Sequence, residues 1–222
     1  MRIKICLAGA SGKMGQELLS LVSENPNFEV VQYLQKNSKI RKITMSKPDI
    51  LIDFTLPDFF DECLAYALKH KIAFISGTTG LSLKQKDKLK KASEHIPVLW
   101  ASNMSLGVSV IKKMFQSLAP LKNYDFYIEE IHHAQKKDSP SGTAISLKES
   151  LESAIGKKVK DTFSMRGGGV FGQHRIVVLG PEEVITLQHE ALTRTVFARG
   201  AMTCSAWLVK KKKGFYTMED VL

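Results

Sequence analysis

The stretch Ile3-Lys4-Ile5-Cys6-Leu7-Ala8-Gly9-Ala10-Ser11-Gly12-Lys13-Met14-Gly15 decides how the chain is read. Residues 2–8 set charged or small residues against Ile3, Ile5 and Leu7 and stop at Gly9, the pattern of a short strand entering a turn. From Met14 onward, Leu18, Leu21 and Val22 recur at helical spacing until Asn25-Pro26. Phe28 to Leu34 then reads as a second strand, so the segment forms a βαβ unit with a right-handed crossover. Gly9, Gly12 and Gly15 make a G-x-x-G-x-x-G loop between the strand and the helix. Glycines there let the backbone approach a pyrophosphate, whose charge meets free amides at the helix N-terminus. A bare tight turn is the alternative; the flanking strands and helix favour a dinucleotide.

The alternation continues downstream. Ile50 to Phe54 reads as a strand, 58–69 as a helix, Ile72 to Ser76 as a strand, 82–94 as a Lys-rich helix and Val98 to Ala101 as a strand. Strands alternating with helices imply a doubly wound parallel sheet of the α/β class. Ligands of such sheets bind beyond the strands' carboxyl ends, which hold Thr55, Gly77-Thr78-Thr79-Gly80 and Ser102-Asn103. After residue 104 the pattern changes. A helix carrying Gly107 to Leu118 precedes a strand-like Tyr124 to Ile131, a polar loop, a helix near 142–154 and strand-like runs at 174–179 and 184–191. Strands without intervening helices suggest a mixed or antiparallel sheet in a second lobe. A last helix, about 194–210, is expected to pack back on the first lobe. The expected division is 1–103 plus 195–222 for the dinucleotide-binding domain and 104–194 for the other.

Composition narrows the class. The chain has 222 residues, 44% of them hydrophobic, with 15 glycines and 7 prolines. That is too few of the latter two for a disordered chain, and the length suffices for a real core. Apolar runs fall short of the roughly 20 residues that span a bilayer, and the opening Met1-Arg2-Ile3-Lys4 does not read as a secretory signal. Cys6, Cys63 and Cys204 are far apart among apolar residues and read as buried thiols of a reducing compartment, so a cytoplasmic location is expected. The net charge of +10 invites a nucleic-acid partner, but much of it sits in Lys84 to Lys91 and Lys210 to Lys213, which read as solvated helix faces and ends. Zinc-finger spacings and RNA-binding aromatic signatures are missing. A solvated surface is the favoured reading of the charge, and steering of a small anionic substrate or cofactor is a third alternative.

The second strand ends Tyr33-Leu34-Gln35-Lys36-Asn37, with Lys39, Arg41 and Lys42 behind it. An acid there would bond the ribose 2′-hydroxyl of NAD; cations instead suit a 2′-phosphate, so NADPH is expected to bind at least as well as NADH. The other informative stretch is Glu130-Ile131-His132-His133-Ala134-Gln135-Lys136-Lys137-Asp138-Ser139-Pro140-Ser141-Gly142-Thr143-Ala144. Adjacent strand residues point oppositely, so only one of the two histidines need face a cleft. A His and a nearby Lys can move protons or anchor a carboxylate, and Ser141-Gly142-Thr143 at a helix start is an anion cradle. A surface turn remains the alternative. A metal site is not expected, because no third ligand lies at a recognisable spacing. His70, His95 and His174 read as surface or structural. Arg194 either holds a carboxylate or pairs structurally, and His189 stays unassigned.

These residues together resemble the dihydrodipicolinate reductase family. The carriers are the Gly9–Gly15 loop, Asp53-Phe54-Thr55, Gly77-Thr78-Thr79-Gly80, Asn103-Met104-Ser105-Leu106-Gly107, the Glu130–Ala144 segment and Arg194-x-x-Phe197-Ala198-x-Gly200-Ala201, which span nearly the whole chain in order. The resemblance implies a Rossmann-like doubly wound parallel sheet with a second α+β substrate-binding and oligomerisation lobe, a homotetramer, and hydride transfer from NADPH or NADH to a cyclic dicarboxylate imine with loss of water. It implies His132 as proton donor or acceptor and Lys136 as proton donor. His133, Ser141, Gly142 and Thr143 would hold the substrate carboxylates. Gly9, Ala10, Ser11, Gly12, Lys13, Met14, Gln35, Lys36, Gly77, Thr78, Thr79, Ala101, Ser102, Asn103 and Met104 would line the dinucleotide. Three positions depart from the family: Ser139 replaces a usual Ala, Gln35 stands where many members carry an acid, and Arg166 to Gly172 is compressed. Another two-lobe nicotinamide dehydrogenase would share the first lobe but not His132-His133-x-x-Lys136 with Ser141-Gly142-Thr143. A dinucleotide-sensing regulator would need no proton donor, and this chain has no recognisable DNA-reading helix.

Overall fold

The computed structural model describes residues 2–37 and 39–222, so Met1 and Ser38, both inside the expected first domain, lie outside the described residues. The chain divides into two compact units, Met1–Met104 with Phe197–Val221, and Ser105–Val196 with the terminal Leu222.

The first unit begins with β1 (Ile3–Ala8), α1 (Lys13–Glu24), β2 (Phe28–Gln35) and β3 (Lys39–Lys42), then β4 (Ile50–Asp53), α2 (Pro57–His70), β5 (Ala73–Ser76), α3 (Leu83–Ser93) and β6 (Pro97–Trp100). The last α-helix, Thr195–Leu208, and the strand Gly214–Tyr216 return to it. Strand Gly214–Tyr216 pairs in parallel with β6, and the sheet runs on through β5, β4, β1 and β2 to β3. Every neighbour is parallel except β3, which turns back antiparallel on β2. Strands β4 and β5 are buried along their whole length, as expected for parallel strands covered on both faces, which read as continuous apolar runs. Phe60, Phe74, Leu51, Leu89 and Val98 knit α2 and α3 to the sheet. Helix α3 starts on a full capping box: Ser82 accepts from the Gln85 amide while Gln85 accepts from the Ser82 amide.

In the second unit, α4 (Leu106–Met114) continues as a 3₁₀ segment over Phe115–Leu121, where Pro120 cannot join an α-helical ladder. One helix over Gly107 to Leu118 is thus corrected to two geometries. Then come β7 (Asp125–His132), α5 (Gly142–Ile155), β8 (Thr162–Arg166), β9 (Gln173–Leu179), β10 (Val184–Glu190) and α6, the helix Thr195–Leu208 that rejoins the first unit; β11 is Gly214–Tyr216. The sheet order is β10-β9-β7-β8, antiparallel except for β7 with β8, and so mixed. Alternation along β7 buries Phe126, Ile128, Glu130 and His132 on one face. Leu147, Leu151 and Ile155 of α5 pack there with Val108, Ile111 and Phe115.

Three strands escape the sequence reading. β3 falls in the basic loop after β2, β8 precedes the glycine run, and β11 follows Lys210–Lys213, which belong to no helix because α6 stops at Leu208.

Candidate active site

Two sets of residues carry the expected chemistry, one in each unit. In the first, Gly9 has φ +85° and a Cβ on it would sit 2.2 Å from the Phe54 carbonyl oxygen, so only glycine fits. A Cβ on Gly15 would meet the Gly9 carbonyl oxygen at 2.2 Å, which is why the loop can fold back on the helix. Gly12 precedes α1, is exposed, and donates to the Gly9 carbonyl at 3.0 Å. Among the described residues no side chain caps this helix, and its first turn holds no acid. Its positive end is thus open to an anion. Ser11 and Lys13 are exposed, while Ala10 and Met14 are half-buried. A pyrophosphate fits this cradle.

Asp53, quoted in the sequence without a role, organises the neighbouring loops. It is fully buried at the end of β4 and accepts from Thr55 Oγ1 (2.6 Å), the Thr55 amide (3.0 Å), Ser76 Oγ (2.7 Å) and Thr78 Oγ1 (2.9 Å). Burial pushes its carboxyl upward, and these hydrogen bonds only partly oppose that. The Thr78 hydroxyl is therefore committed internally, and Met104 is buried. Gly77 (half-buried), Thr79 (exposed) and Ala101, Ser102 and Asn103 (half-buried) form the loop surface. Gln35, Lys36 and Asn37 are exposed, and Lys36 Nζ meets Asp58 Oδ2 at 2.6 Å. Both partners are solvated, so the pair is weak and Lys36 stays free to exchange toward a phosphate.

In the second unit, strand register builds the site. Glu130 on β7 pairs with Ser164 on β8 and His174 on β9, and His174 pairs with His189 on β10. Four polar side chains thus form one rung on the face that α4 and α5 cover. Glu130 Oε1 accepts from Ser164 Oγ (2.7 Å), Arg166 Nη2 (2.8 Å) and the Ser141 amide (2.9 Å). Its Oε2 lies 3.1 Å from His132 Nδ1 and 3.8 Å from His174 Nε2. Burial would raise the Glu130 carboxyl, but His132, Ser141, Arg166 and Ser164 together hold it well below the usual carboxylate range. It is an anion at neutral pH. His174 is the reverse: burial first, then the neighbouring His132, pushes its ring down to about 3, so it is neutral. Ser141 caps α5 by accepting from the Ala144 amide, and its Oγ meets His174 Nε2 at 3.2 Å. His189 Nε2 meets the α4 capping hydroxyl, Ser105 Oγ, at 2.9 Å.

His132 is buried, whereas His133, just past the strand's end, is half-buried. Lys136 Nζ pairs with Asp138 Oδ1 at 2.8 Å, and Arg166 Nη2 also donates to the Asp138 carbonyl at 2.6 Å. One guanidinium thereby ties the Glu130 carboxylate to the loop that carries Lys136. Gly142 is half-buried and Thr143 buried at the α5 start. The Ser141 amide donates to Glu130 Oε1 and its hydroxyl caps α5, so Ser141 links the Glu130 carboxylate to the helix start. The short Arg166–Gly172 loop wraps His132: the Gly167 amide donates to the His132 carbonyl at 2.9 Å, and a Cβ on Gly172 would press on His132 Nε2 at 3.0 Å. Arg194 stacks its guanidinium 5.1 Å from the Phe171 ring centroid.

Glu130, His132 and His174 each offer a ligand atom within 4.8 Å of the others, so the third ligand that spacing failed to show comes from another strand. Arg166 already neutralises that carboxylate at 2.8 Å, and a dication would have to sit beside a guanidinium. The trio is better suited to proton handling. Glu130 has no role of its own in the sequence reading, and His174, read as surface or structural, is buried; period-two alternation puts both on the buried face of their strands, and a charged or imidazole side chain there is the signal of a polar cluster.

A glycine cradle on a parallel sheet, joined to a unit that concentrates His, Lys and a caged carboxylate, defines a nicotinamide-dependent oxidoreductase. Family models for dihydrodipicolinate reductase match residues 3–104 (N-terminus) and 107–222 (C-terminus). The chain belongs to the dihydrodipicolinate reductase family. It is 47% identical to the 4-hydroxy-tetrahydrodipicolinate reductase of Bdellovibrio bacteriovorus over 100% of this chain and 96% of that protein. The enzyme of the same name from Rickettsia rickettsii is 35% identical over 99% and 98%. Among solved structures, a dipicolinate-bound dihydrodipicolinate reductase from Paenisporosarcina sp. TG-14 superposes with a TM-score of 0.82 at 23% identity, covering 100% of both chains.

Proposed function

We propose that this protein reduces 4-hydroxy-tetrahydrodipicolinate to tetrahydrodipicolinate in the diaminopimelate–lysine route, taking up a hydride and a proton and releasing the 4-hydroxyl as water. The observation that carries the reading is His132, buried against the Glu130 carboxylate, followed on the next loop by Lys136 and the α5 start. Bound NADPH or NADH supplies the hydride. The chain does the rest. Gly9 to Met14 meet the pyrophosphate, while Gln35 and Lys36 meet the ribose with its 2′-phosphate; NADPH binds at least as well as NADH. Gly77 to Thr79 and Ala101 to Met104 flank the nucleotide, Thr78 and Met104 through their backbone. His133, Ser141, Gly142 and Thr143 grip the two carboxylates at the positive end of α5. A hydroxyl leaves as water only once protonated, and His132 and Lys136 are the groups that move that proton.

Two further statements belong to this reading. The outward face of the second sheet exposes Phe163 and Met165, with Tyr127 stacked 6.0 Å from Phe163; this supports a homotetramer assembled through that sheet. Three buried free thiols support a cytoplasmic home, and among the described residues no helix is long and apolar enough to cross a membrane.

Nucleotide oxidation by the purified protein tests the function, with substrate generated in situ from pyruvate and aspartate semialdehyde. Oxidation that requires the condensed product, with NADPH used at least as efficiently as NADH, is expected. Silence with both nucleotides, while either still binds, would refute the assignment of substrate.

A further inference from the structure

We infer that Glu130 is a positioning residue whose Oε2 accepts a hydrogen bond from His132 Nδ1–H, which fixes the ring's tautomer and turns Nε2 toward the substrate. The inference rests on the reading of His132 as the group that moves the proton. Three observations carry it. First, the carboxylate is immobilised through one oxygen only: Ser164, Arg166 and the Ser141 amide all converge on Oε1, which leaves Oε2 aimed at His132 Nδ1, 3.1 Å away. Second, neither of those atoms has a well-aligned hydrogen-bond partner among the described residues, and both are buried. The approach is oblique, and each is the other's nearest complement. Catalytic hydrogen bonds often tighten only when substrate binds. Third, a residue without a Cβ lies against the opposite end of the ring. Gly172 is the residue beside Nε2, and any Cβ there would crowd it at 3.0 Å.

The same carboxylate reaches the substrate cradle, because the amide it holds through Oε1 belongs to the α5 N-cap, Ser141. Glu130 thus sets the position of the proton-moving ring relative to the helix start that grips the carboxylates. His174 cannot substitute for His132. Its Nε2 faces the Ser141 hydroxyl, and at neutral pH it carries no charge.

The test combines steady-state kinetics with long-range proton–nitrogen NMR of the histidine side chains, His132 being assigned by its loss in His132→Gln. Glu130→Gln is expected to lower kcat at least about 100-fold, the scale of general acid–base catalysis. NADPH affinity should stay within about twofold, since the nucleotide cradle is untouched. In the wild type the neutral His132 ring should carry its proton on Nδ1, and Glu130→Gln should scramble that preference. The wild-type tautomer is informative even if the variant fails to fold. A ring protonated on Nε2, or a folded Glu130→Gln enzyme with kcat within about threefold of wild type while His132→Gln is inactive, overturns the inference and leaves the reading of His132 intact. Full turnover by His132→Gln overturns that reading and this inference with it.

Discussion

Acidification destabilises this protein through one side chain in particular, His174. The ring is 3% exposed, sits between Glu130 and the Ser141 hydroxyl, and titrates near 3 when folded against 6.5 when free. Its folded value is depressed, so below 6.5 the unfolded chain binds a proton that the folded chain refuses. The stabilisation is complete above 6.5 and drains away as the pH falls toward about 3. Between about pH 7.5 and about pH 5 the unfolded state gains roughly a 30-fold statistical advantage, or about 2 kcal/mol. That figure is insensitive to the folded value, because any value well below 5 gives the same answer. Urea unfolding at the two pH values, at one fixed protein concentration, reads it. His174→Gln keeps an acceptor for Ser141 and removes the titration, so its loss of stability over the same interval should be smaller by about 2 kcal/mol. His70 and His189 are also depressed, but both proteins carry them and they cancel in the difference. Equal losses in wild type and variant would refute the placement of a neutral, caged imidazole at this site.

Arg166→Met strands the buried Glu130 carboxylate without its cation and should cost about 3 kcal/mol in chemical unfolding, the scale for breaking one side of a buried pair. Gly200→Ala would put a Cβ 1.7 Å from the Met104 carbonyl oxygen; a loss of about 2–3 kcal/mol is expected from overpacking, with weaker NADPH binding in a titration as the 101–104 segment shifts. Gly172→Ala should lower kcat by at least about tenfold through crowding of His132 Nε2, while thermal unfolding moves less than in Gly200→Ala.

Local chemistry made the first unit legible. Glycines at 9, 12 and 15 and apolar runs at 50–53 and 73–76 are dictated by neighbours in sequence or by burial on both faces. Hidden parts depended on partners far along the chain. β8 inverts the usual pattern: Thr162, Ser164 and Arg166 face inward because Glu130 needs donors, and Phe163 and Met165 face outward. Nothing near residue 164 announces that need. The Glu130–Ala144 motif was legible as a string, but the network that orders it was not. Glu130 and Arg166 are 36 positions apart and meet only through the β7–β8 register. Ser141 reads from the sequence as part of an anion cradle at a helix start, whereas its contacts with Glu130 and His174 come from strands far along the chain.

Strand β3 ends the first sheet with Lys39, Ile40, Arg41 and Lys42, all exposed, and β2 pairs along only one of its sides. An open strand edge invites pairing with another chain, and a row of cations on it repels a second copy. Three of the charges expected to welcome a 2′-phosphate, Lys39, Arg41 and Lys42, therefore sit on an edge strand where they also oppose pairing with a second copy. Swapping them for neutral or acidic residues to redirect nucleotide choice would blunt that repulsion, so such variants should be watched for aggregation as closely as for kinetics.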